Sequence, residues 1–158
     1  MHSLGSGDPP TKIPDVVSLD LSYDEIADGE AIGQGGNADV FRVTVQRGGR
    51  EIPVAVKQPR LQGTLDTDTV ERFVQEADVW AELDGHEHIV SLYDWGAEPL
   101  PWLAMEYMDR GTLADVPDGE RLPLEQALWV GVCVCRAVHH AHRFGVAHHD
   151  IKPANVLF

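Results

Sequence analysis

Three polar side chains near the end of the sequence, Asp150, Lys152 and Asn155, have types and spacing suited to phosphoryl chemistry. A carboxylate can accept the proton of an attacking hydroxyl. An ammonium group two residues later can stabilise charge on a transferring phosphoryl group. A carboxamide oxygen five residues after the aspartate can ligate Mg²⁺, which prefers hard oxygen ligands. A polar turn around Pro153 is the alternative, but it leaves Lys152 unexplained in a chain with only three lysines.

A second group of candidate residues is the glycine cluster in "IGQGGNADVF", where Gly33, Gly35 and Gly36 lie between two β-rich runs. Glycine in such a place permits a tight turn or a close approach of the backbone to a ligand. The cluster therefore fits either a loop that cradles phosphates or an ordinary glycine-rich hairpin, and its spacing alone does not decide between them.

Lys57 follows this cluster, within the alternating apolar run "VAVK". A strand lysine either reaches solvent or, after a phosphate-binding loop, neutralises phosphates. If it is half-buried, it needs a carboxylate partner. Glu76 is the natural candidate because it lies on or beside the apolar face of the next predicted helix, whereas Glu71 and Glu82 are better placed for solvent.

The elements that must position these residues can be predicted from periodicity and turn signals. Alternating apolar runs separated by glycines predict strands, and apolar residues at helical spacing between cap and glycine signals predict helices. The result is an α+β arrangement of five strands, with one helix after the third strand and a second helix near the end. The predicted strands lie within 30–46 (two strands), 52–59, 89–96 and 101–108, and the predicted helices are 67–85 and 124–143.

The charge balance excludes one class of partner. Twelve basic residues against 26 acidic ones give a net charge of −14. Phosphate neutralisation is therefore not available to this surface, and we expect no nucleic-acid binding. A lysine-poor, acidic composition also suggests adaptation to high salt, where screening weakens the repulsion between like charges.

Compartment and membrane association can be judged from the apolar runs and the cysteines. The longest apolar stretch, Ala127 to Cys135, is far shorter than the roughly 20 residues of a membrane span, so no membrane segment is expected. Cys133 and Cys135 lie two apart on a predicted helix and point to different faces, which disfavours a disulfide. We expect a reducing, cytoplasmic location.

In order and spacing, these motifs resemble a eukaryotic-type (Hanks-type) serine/threonine protein kinase domain, and the resemblance covers 23–158. It implies a kinase-like fold with a five-stranded antiparallel N-lobe and its αC helix at 23–107. A hinge and an incomplete C-lobe follow at 108–158, and 1–22 is expected to be a linker or disordered tail. The motifs are "GQGGNADV" (Gly-rich loop), "VAVK" (strand-3 lysine), "RFVQEA" (αC glutamate), "MEYMDRGTL" (hinge) and "HHDIKPANVLF" (catalytic loop).

The resemblance also implies ATP and Mg²⁺ as cofactors, and transfer of phosphate to Ser or Thr of protein substrates. Under it, the three glycines cover the phosphates and Lys57, paired with Glu76, holds the α- and β-phosphates. Asp150 is the catalytic base, Lys152 contacts the γ-phosphate and Asn155 ligates Mg²⁺. The residues implied to surround adenine are Ile32, Val40 and Ala55 above, Leu157 below, Met105 as gatekeeper, and the backbone of Glu106 and Met108.

Three residues depart from the family pattern. Ala38 replaces the third glycine of the loop, and Asn37 replaces an aromatic residue at its tip. His149 replaces the arginine before the catalytic aspartate, which puts control through a phosphorylated activation loop in doubt. A histidine there retains part of that charge when protonated, so pH sensitivity is a further hypothesis.

The sequence ends before the DFG motif and most of the C-lobe that the family pattern contains, so we interpret it as a fragment of a longer kinase and expect negligible turnover from the fragment alone. Two alternatives are a nucleotide-binding, pseudokinase-like regulatory module and a kinase-fold enzyme that acts on a small molecule. The intact candidate residues and the style of "HHDIKPAN" favour the protein kinase. Cys135, His139 and His142 share one helix face, and a transition-metal site there is a weaker hypothesis.

Overall fold

The computed structural model describes residues 19–34, 38–60, 67–83, 85–117 and 120–158. These residues form two compact units. The strand unit contains the described residues of 19–83 and 90–107, and the helical unit contains those of 85–89 and 108–158.

Five antiparallel strands form the sheet of the strand unit, as the sequence predicts. Their spatial order is β1-β2-β3-β5-β4, so β4 lies at one edge and β5 joins it to the long β2–β3 hairpin. The last two strands are shorter than the apolar runs that predict them. The strands are β1 Glu30–Gln34, β2 Ala38–Arg47, β3 Arg50–Pro59, β4 Leu92–Gly96 and β5 Trp102–Glu106.

The helices are α1 Tyr23–Ile26, α2 Thr67–Leu83 and α3 Leu124–Arg143. α2 and α3 agree with the predicted helices, whereas the single turn of α1 is not predicted. α3 is followed by the cap residue Phe144 and then by Gly145, whose φ of +74° lies in the left-handed region that favours glycine. The amides of Gly145 and Val146 donate to the carbonyls of His142 and Ala141, which satisfies two of the last carbonyl groups of the helix.

The sheet has two differently used faces, because neighbouring residues of a strand point to opposite sides. One face carries Val54 and Val56, both fully buried, in a core that also contains Trp102. The opposite face carries Ala55, Lys57 and the strand β5 residue Leu103. α2 packs on this second face through Phe73 and Ala77, which form a cluster with Leu92 and Leu103.

Residues 19–22 pack in the core of the strand unit, whereas the sequence predicts a linker or disordered tail over 1–22. Leu19 and Leu21 are buried in the core, and the backbone N–H of Leu21 donates to Oδ2 of Asp94 at 2.6 Å. The predicted end of the tail, residue 22, is therefore too late in the sequence. Residues 19–22 belong to the folded strand unit. Residues 1–18 lie outside the described residues.

Arg47, at the end of β2, fastens this segment to the sheet. Its guanidinium donates to the carbonyl oxygens of Leu19 and Asp20, at 2.8 and 2.9 Å, and forms a two-point ion pair with Glu25 in α1. This bidentate geometry is the strong form of a carboxylate–guanidinium pair. As a result, the pKa of Glu25 is lowered to about 2, chiefly by the hydrogen bond from Arg47.

No helix within the described residues has both the length and the apolar character needed to cross a membrane.

Candidate active site

Lys57 and Glu76 form the ion pair that the sequence predicts. Lys57 Nζ lies 2.5 Å from Glu76 Oε1, and the two side chains are 27% and 40% exposed. Lys57 is fixed in β3 opposite Val40, while α2 is held on the same face by Phe73. The ammonium also lies 5.6 Å from the centre of the Phe73 ring. The packing of α2 on the sheet therefore holds the Lys57 ammonium at a defined position. The side chain of Lys57 remains partly exposed to solvent.

The strand residues predicted to surround adenine share the face that carries Lys57. Val40 is paired with Lys57, and Ala55 is paired with Met105. Ala55 is almost fully buried and Ile32 is 44% exposed. Ile32 lies at a register shift between Ala31 and Gly33, where β1 bulges against β2. Arg42, which is paired with Ala55, lies on the same face as Lys57. This face of the strand unit thus combines apolar side chains with cations, which is the composition of a pocket for an anionic ligand with an apolar ring.

The backbone N–H of Glu106, one of the groups expected to bond the adenine edge, already has a hydrogen-bond acceptor within the protein. Its N–H donates to the carbonyl of Ser91 at 2.9 Å, and its side chain accepts from the Ser91 amide at 3.4 Å. Any bond from the Glu106 backbone to a base edge would therefore use its carbonyl oxygen, which has a second lone pair to offer.

Packing against the described residues does not require glycine at position 33. A Cβ placed on it would meet Val40 Cβ at 3.7 Å, which is ordinary van der Waals contact. Gly96 is different, because a Cβ there would lie 2.6 Å from Nε1 of the buried Trp102. The described neighbours of Gly33 would therefore accept a side-chain methyl group, whereas Trp102 excludes one at Gly96. Gly35, Gly36 and Asn37 lie outside the described residues.

In the helical unit, the three polar residues of the last loop are brought together. Asp150 Oδ2 lies 2.8 Å from Lys152 Nζ. Asn155 Nδ2 donates to the carbonyl oxygen of Asp150 at 2.8 Å and to its Oδ2 at 3.2 Å. The carboxamide oxygen of Asn155 takes no part in these bonds, and it is the atom that a cation would use. The loop thus presents a carboxylate, an ammonium and a free amide oxygen side by side.

Local backbone structure holds this loop. A 3-10 helix, Pro153–Asn155, orients Asn155, whose amide donates to the carbonyl of Lys152 at 2.9 Å. Beyond it, the Phe158 amide donates to the Gly111 carbonyl at 3.0 Å, and the Leu113 amide donates to the Val156 carbonyl at 2.8 Å. The chain on the far side of the loop is therefore tied to the segment around Gly111.

The electrostatics of the loop favour an ionised Asp150. The hydrogen bond from Lys152 is the largest influence lowering the pKa of this carboxyl group. The hydrogen bond from Asn155 and the electrostatic effect of His148 also lower this pKa. His148 also accepts the Asp150 amide through Nδ1, at 3.2 Å. All these groups are exposed, so a ligand can reach them without displacing protein.

The other predicted residues of this unit are Met108, Leu157 and His149. Met108 is half-buried and Leu157 is 43% exposed, with Leu157 bridged to Thr112. His149 is exposed and has a φ of +60°, a left-handed conformation that is uncommon for residues other than glycine.

The transition-metal hypothesis gains no support. Cys135, His139 and His142 are exposed on α3, and no three His, Cys, Asp or Glu side chains within the described residues are grouped to hold a metal ion. At the catalytic loop, the one carboxylate in contact with Asn155 among the described residues is that of Asp150. An Mg²⁺ ion at this loop would take its remaining ligands from elsewhere, including nucleotide phosphates and water.

Comparison with known families decides the assignment of the chain. The model of the protein kinase domain matches residues 26–158. The chain belongs to the protein kinase domain family. The match includes both the Lys57–Glu76 pair and the loop around Asp150, so the family assignment rests on the same residues as the geometry.

Named relatives agree with the family. The chain is 37% identical over 135 residues to the probable serine/threonine-protein kinase SCO3848 of Streptomyces coelicolor, and 38% identical over 136 residues to serine/threonine-protein kinase PknB of Mycobacterium leprae. Each alignment covers 82% of this chain but only 20% and 21% of the relative, so the chain spans about a fifth of the length of these proteins. The crystal structure of the Mycobacterium tuberculosis PknI kinase domain is similar, with a TM-score of 0.63 and 30% identity. That alignment covers 80% of this chain and 52% of the other.

Sequence reasoning missed an ion pair beside the glycine cluster. Arg60, just after β3, makes a two-point contact with Asp39 at the start of β2, with Nη2–Oδ1 at 2.5 Å and Nε–Oδ1 at 3.1 Å. Asp39 is paired with Gln58 across the hairpin, so the contact secures the end of β2 nearest the glycines. An acidic residue next to the cluster and an arginine after "VAVKQP" were the available signal.

Proposed function

We propose that this chain provides the nucleotide-binding and catalytic-loop parts of a serine/threonine protein kinase that uses ATP and Mg²⁺. The observation that carries the proposal is the grouping of Asp150, Lys152 and Asn155, in which a carboxylate, an ammonium and a free amide oxygen meet in one exposed loop. Membership of the family and the names of the relatives support the same reaction.

In this proposal Asp150 accepts the proton of the Ser or Thr hydroxyl that attacks the γ-phosphoryl group. Its lowered pKa keeps it ionised and able to accept at neutral pH. Lys152 stabilises the negative charge that spreads over the transferring group. Asn155, which also holds the Asp150 backbone, offers its amide oxygen to Mg²⁺. The ion, when bound, neutralises charge on the phosphates.

Lys57 would bind the α- and β-phosphates, and Glu76 would hold its ammonium in place. The pair at 2.5 Å supports this role because it pre-positions the cation before a ligand arrives. Gly33, with Gly35 and Gly36, would cover the phosphates through backbone amides.

The adenine contacts belong to the same proposal. The residues proposed to contact the base are Ile32, Val40, Ala55, Met105, Leu157 and the backbone of Glu106 and Met108. The shared, largely apolar face of Val40, Ala55 and Met105 supports this proposal for the strand residues.

The test separates binding from chemistry. Phosphate transfer from ATP to a Ser/Thr peptide library, and MgATP binding by calorimetry, are measured on the longest natural protein that contains this chain. In Asp150→Asn, we expect transfer to fall by about a thousandfold or more while MgATP affinity changes by less than about threefold. Asp78→Asn, which alters an exposed carboxylate on α2, is the matched control and should leave both unchanged.

Two results would contradict the proposal. Equal loss of transfer in both variants would remove Asp150 from the chemistry. MgATP binding without any transfer by the unaltered protein would instead favour a nucleotide-binding regulatory module of the kinase family.

A further inference from the structure

Three histidine rings are packed together in the helical unit. His86 and His88 belong to segment 85–89, and His140 belongs to α3. The ring centres of His86 and His140 lie 4.6 Å apart, and those of His86 and His88 lie 5.6 Å apart. The side chain of His88 is only 6% exposed. We call these three residues the imidazole cluster.

The ring hydrogen bond of His86 fits a neutral imidazole. Nδ1 of His86 accepts the backbone N–H of His88 at 3.2 Å, and a nitrogen that accepts cannot also carry a proton. Nε2 of His88 and Nε2 of His140 are buried, and neither has a hydrogen-bond partner among the residues that the structure describes. A proton added to His86 would place a charge beside these two rings, which offer it no hydrogen bond within the described residues.

The charged groups facing the cluster offer little compensation. Glu87 Oε1 lies 3.6 Å from His88 Nε2, too far for a hydrogen bond, and the same oxygen lies 3.9 Å from Arg136 Nη1. Its single negative charge is thus shared with a permanent cation. The Cys133 thiol near this pair has a pKa raised, chiefly by burial, and brings no negative charge at neutral pH.

The remaining walls of the cluster are apolar. The Trp129 ring meets the His88 ring edge-on with centres 6.3 Å apart, and the Phe144 ring lies 5.0 Å from that of His140. Both aromatic residues come from α3 or the residue that follows it. The cluster is therefore the polar centre of the contact between segment 85–89 and the helix.

We propose that the imidazole cluster is a proton-operated clasp, which holds segment 85–89 on α3 while the His86 ring is neutral and loosens when that ring becomes charged. Protonation of His86 removes the acceptor for the His88 amide and places a positive charge beside two further imidazoles. The segment follows α2 and precedes β4 in sequence, so the clasp acts on the connection directly after the helix that carries Glu76.

The direction of the pH effect follows from His86. Burial is the largest cause lowering its pKa, and the neighbouring His140 and His88 lower it further. A histidine whose folded pKa lies below its unfolded value binds protons more readily when released. The stability of the contact is therefore full above the ordinary histidine pKa of about 6.5, and it is lost as pH falls through the folded value.

Two amides report directly on the clasp, because both donate to His86. The His88 amide donates to Nδ1, and the Ile89 amide donates to the His86 carbonyl at 3.0 Å. Their hydrogen exchange is measured by NMR on the full chain between about pH 5 and about pH 8, the range in which histidine changes charge, after correction for intrinsic exchange. We expect their protection to fall by more than about threefold on acidification, in step with the ring titration of His86.

His86→Asn is the informative variant, since its amide oxygen can still accept the His88 N–H but does not titrate. In this variant the His88 and Ile89 amides should keep the protection from hydrogen exchange that they have at neutral pH. Acidification should reduce that protection much less than in the unaltered chain. His142→Asn removes an exposed histidine of the same helix and should behave as the unaltered chain.

Several results would overturn the clasp: a flat pH response in the unaltered chain, an unchanged response in His86→Asn, or a response abolished in His142→Asn. A response that disappears with a chelator would replace it with a metal effect. If His86→Asn does not fold, the unaltered chain still decides, because a His86 titration that does not coincide with the loss of amide protection excludes the mechanism.

Discussion

The two units place their functional residues by different means. In the strand unit, the Lys57–Glu76 contact joins residues 19 positions apart and depends on α2 packing over a buried sheet face. In the helical unit, Asp150, Lys152 and Asn155 are joined by contacts that span no more than five positions. Among the described residues, every buried apolar side chain except Ala141 lies in the strand unit. Packing thus determines the geometry of the Lys57–Glu76 pair, whereas contacts between residues close in sequence determine that of the loop around Asp150.

The strongest test of this difference removes buried volume from the strand unit. Leu103, 1% exposed, packs against Phe73 and Ala77 of α2. Leu103→Ala should lower the free energy of unfolding by about 2–5 kcal/mol and weaken MgATP binding, because the support of Glu76 is lost. Leu128→Ala in α3, where the side chain is 61% exposed, should change it by less than about 0.5 kcal/mol. Urea unfolding measures the change in the free energy of unfolding for both variants, and calorimetry measures MgATP binding. Equal losses of unfolding free energy in the two variants would show that both units depend on packing to the same degree.

The two lysines provide the next test, since each belongs to one unit. Lys57→Met should reduce MgATP affinity by about tenfold or more, through loss of a phosphate contact. Lys152→Met should reduce phosphate transfer in the longest natural protein containing this chain while affinity changes by less than about threefold. Calorimetry and a transfer assay separate the two effects. The division of roles fails if both variants lose affinity equally.

Glycine substitutions should give smaller effects of different kinds. Gly131 lies inside α3 with nothing within 4 Å of an added Cβ, so Gly131→Ala should stabilise the chain by about 0.5–1 kcal/mol. Gly33→Ala should leave the free energy of unfolding within about 0.5 kcal/mol and yet weaken MgATP binding. Thermal unfolding with and without MgATP measures both. If Gly33→Ala destabilised the ligand-free chain strongly, its glycine would be structural after all.

The smallest expected effect concerns the exposed ion pair that links α1 to β2. Glu25 has a folded pKa of about 2 against an ordinary value of 4.5, so its contribution is present above pH 4.5 and lost as pH falls from there towards 2. Glu25→Gln should remove this part of the acid dependence of the unfolding midpoint and leave neutral stability slightly lower. Urea midpoints across that pH range provide the measurement. An unchanged acid dependence would mean that Arg47 holds the segment through the Leu19 and Asp20 carbonyls alone.

Regular elements were predictable because their periodicity is local. Alternation fixed the five strands, and α3 was predicted from Leu124 to Arg143. The Lys57–Glu76 pair was also within reach, because helical spacing places Glu76 next to the apolar face of α2. The glycine and adenine roles of the site residues stay predictions.

What could not be predicted depends on contacts between distant residues. Leu21 bonds to Asp94, 73 positions away, and no pattern in a Pro- and Gly-rich stretch signals that bond. The imidazole cluster joins a loop histidine to one on α3, and His140 does not differ in type from the exposed His139 and His142 beside it. Burial, which only the fold supplies, distinguishes them.

The attachment of residues 19–22 by Arg47 has a practical consequence for recombinant work. A shortened version that starts at Tyr23, where the family resemblance begins, would omit two leucines that cover the sheet core and would leave the Arg47 guanidinium without two of its acceptors. Expression trials that compare start sites before Leu19 and at Tyr23 should therefore yield soluble protein preferentially from the longer version.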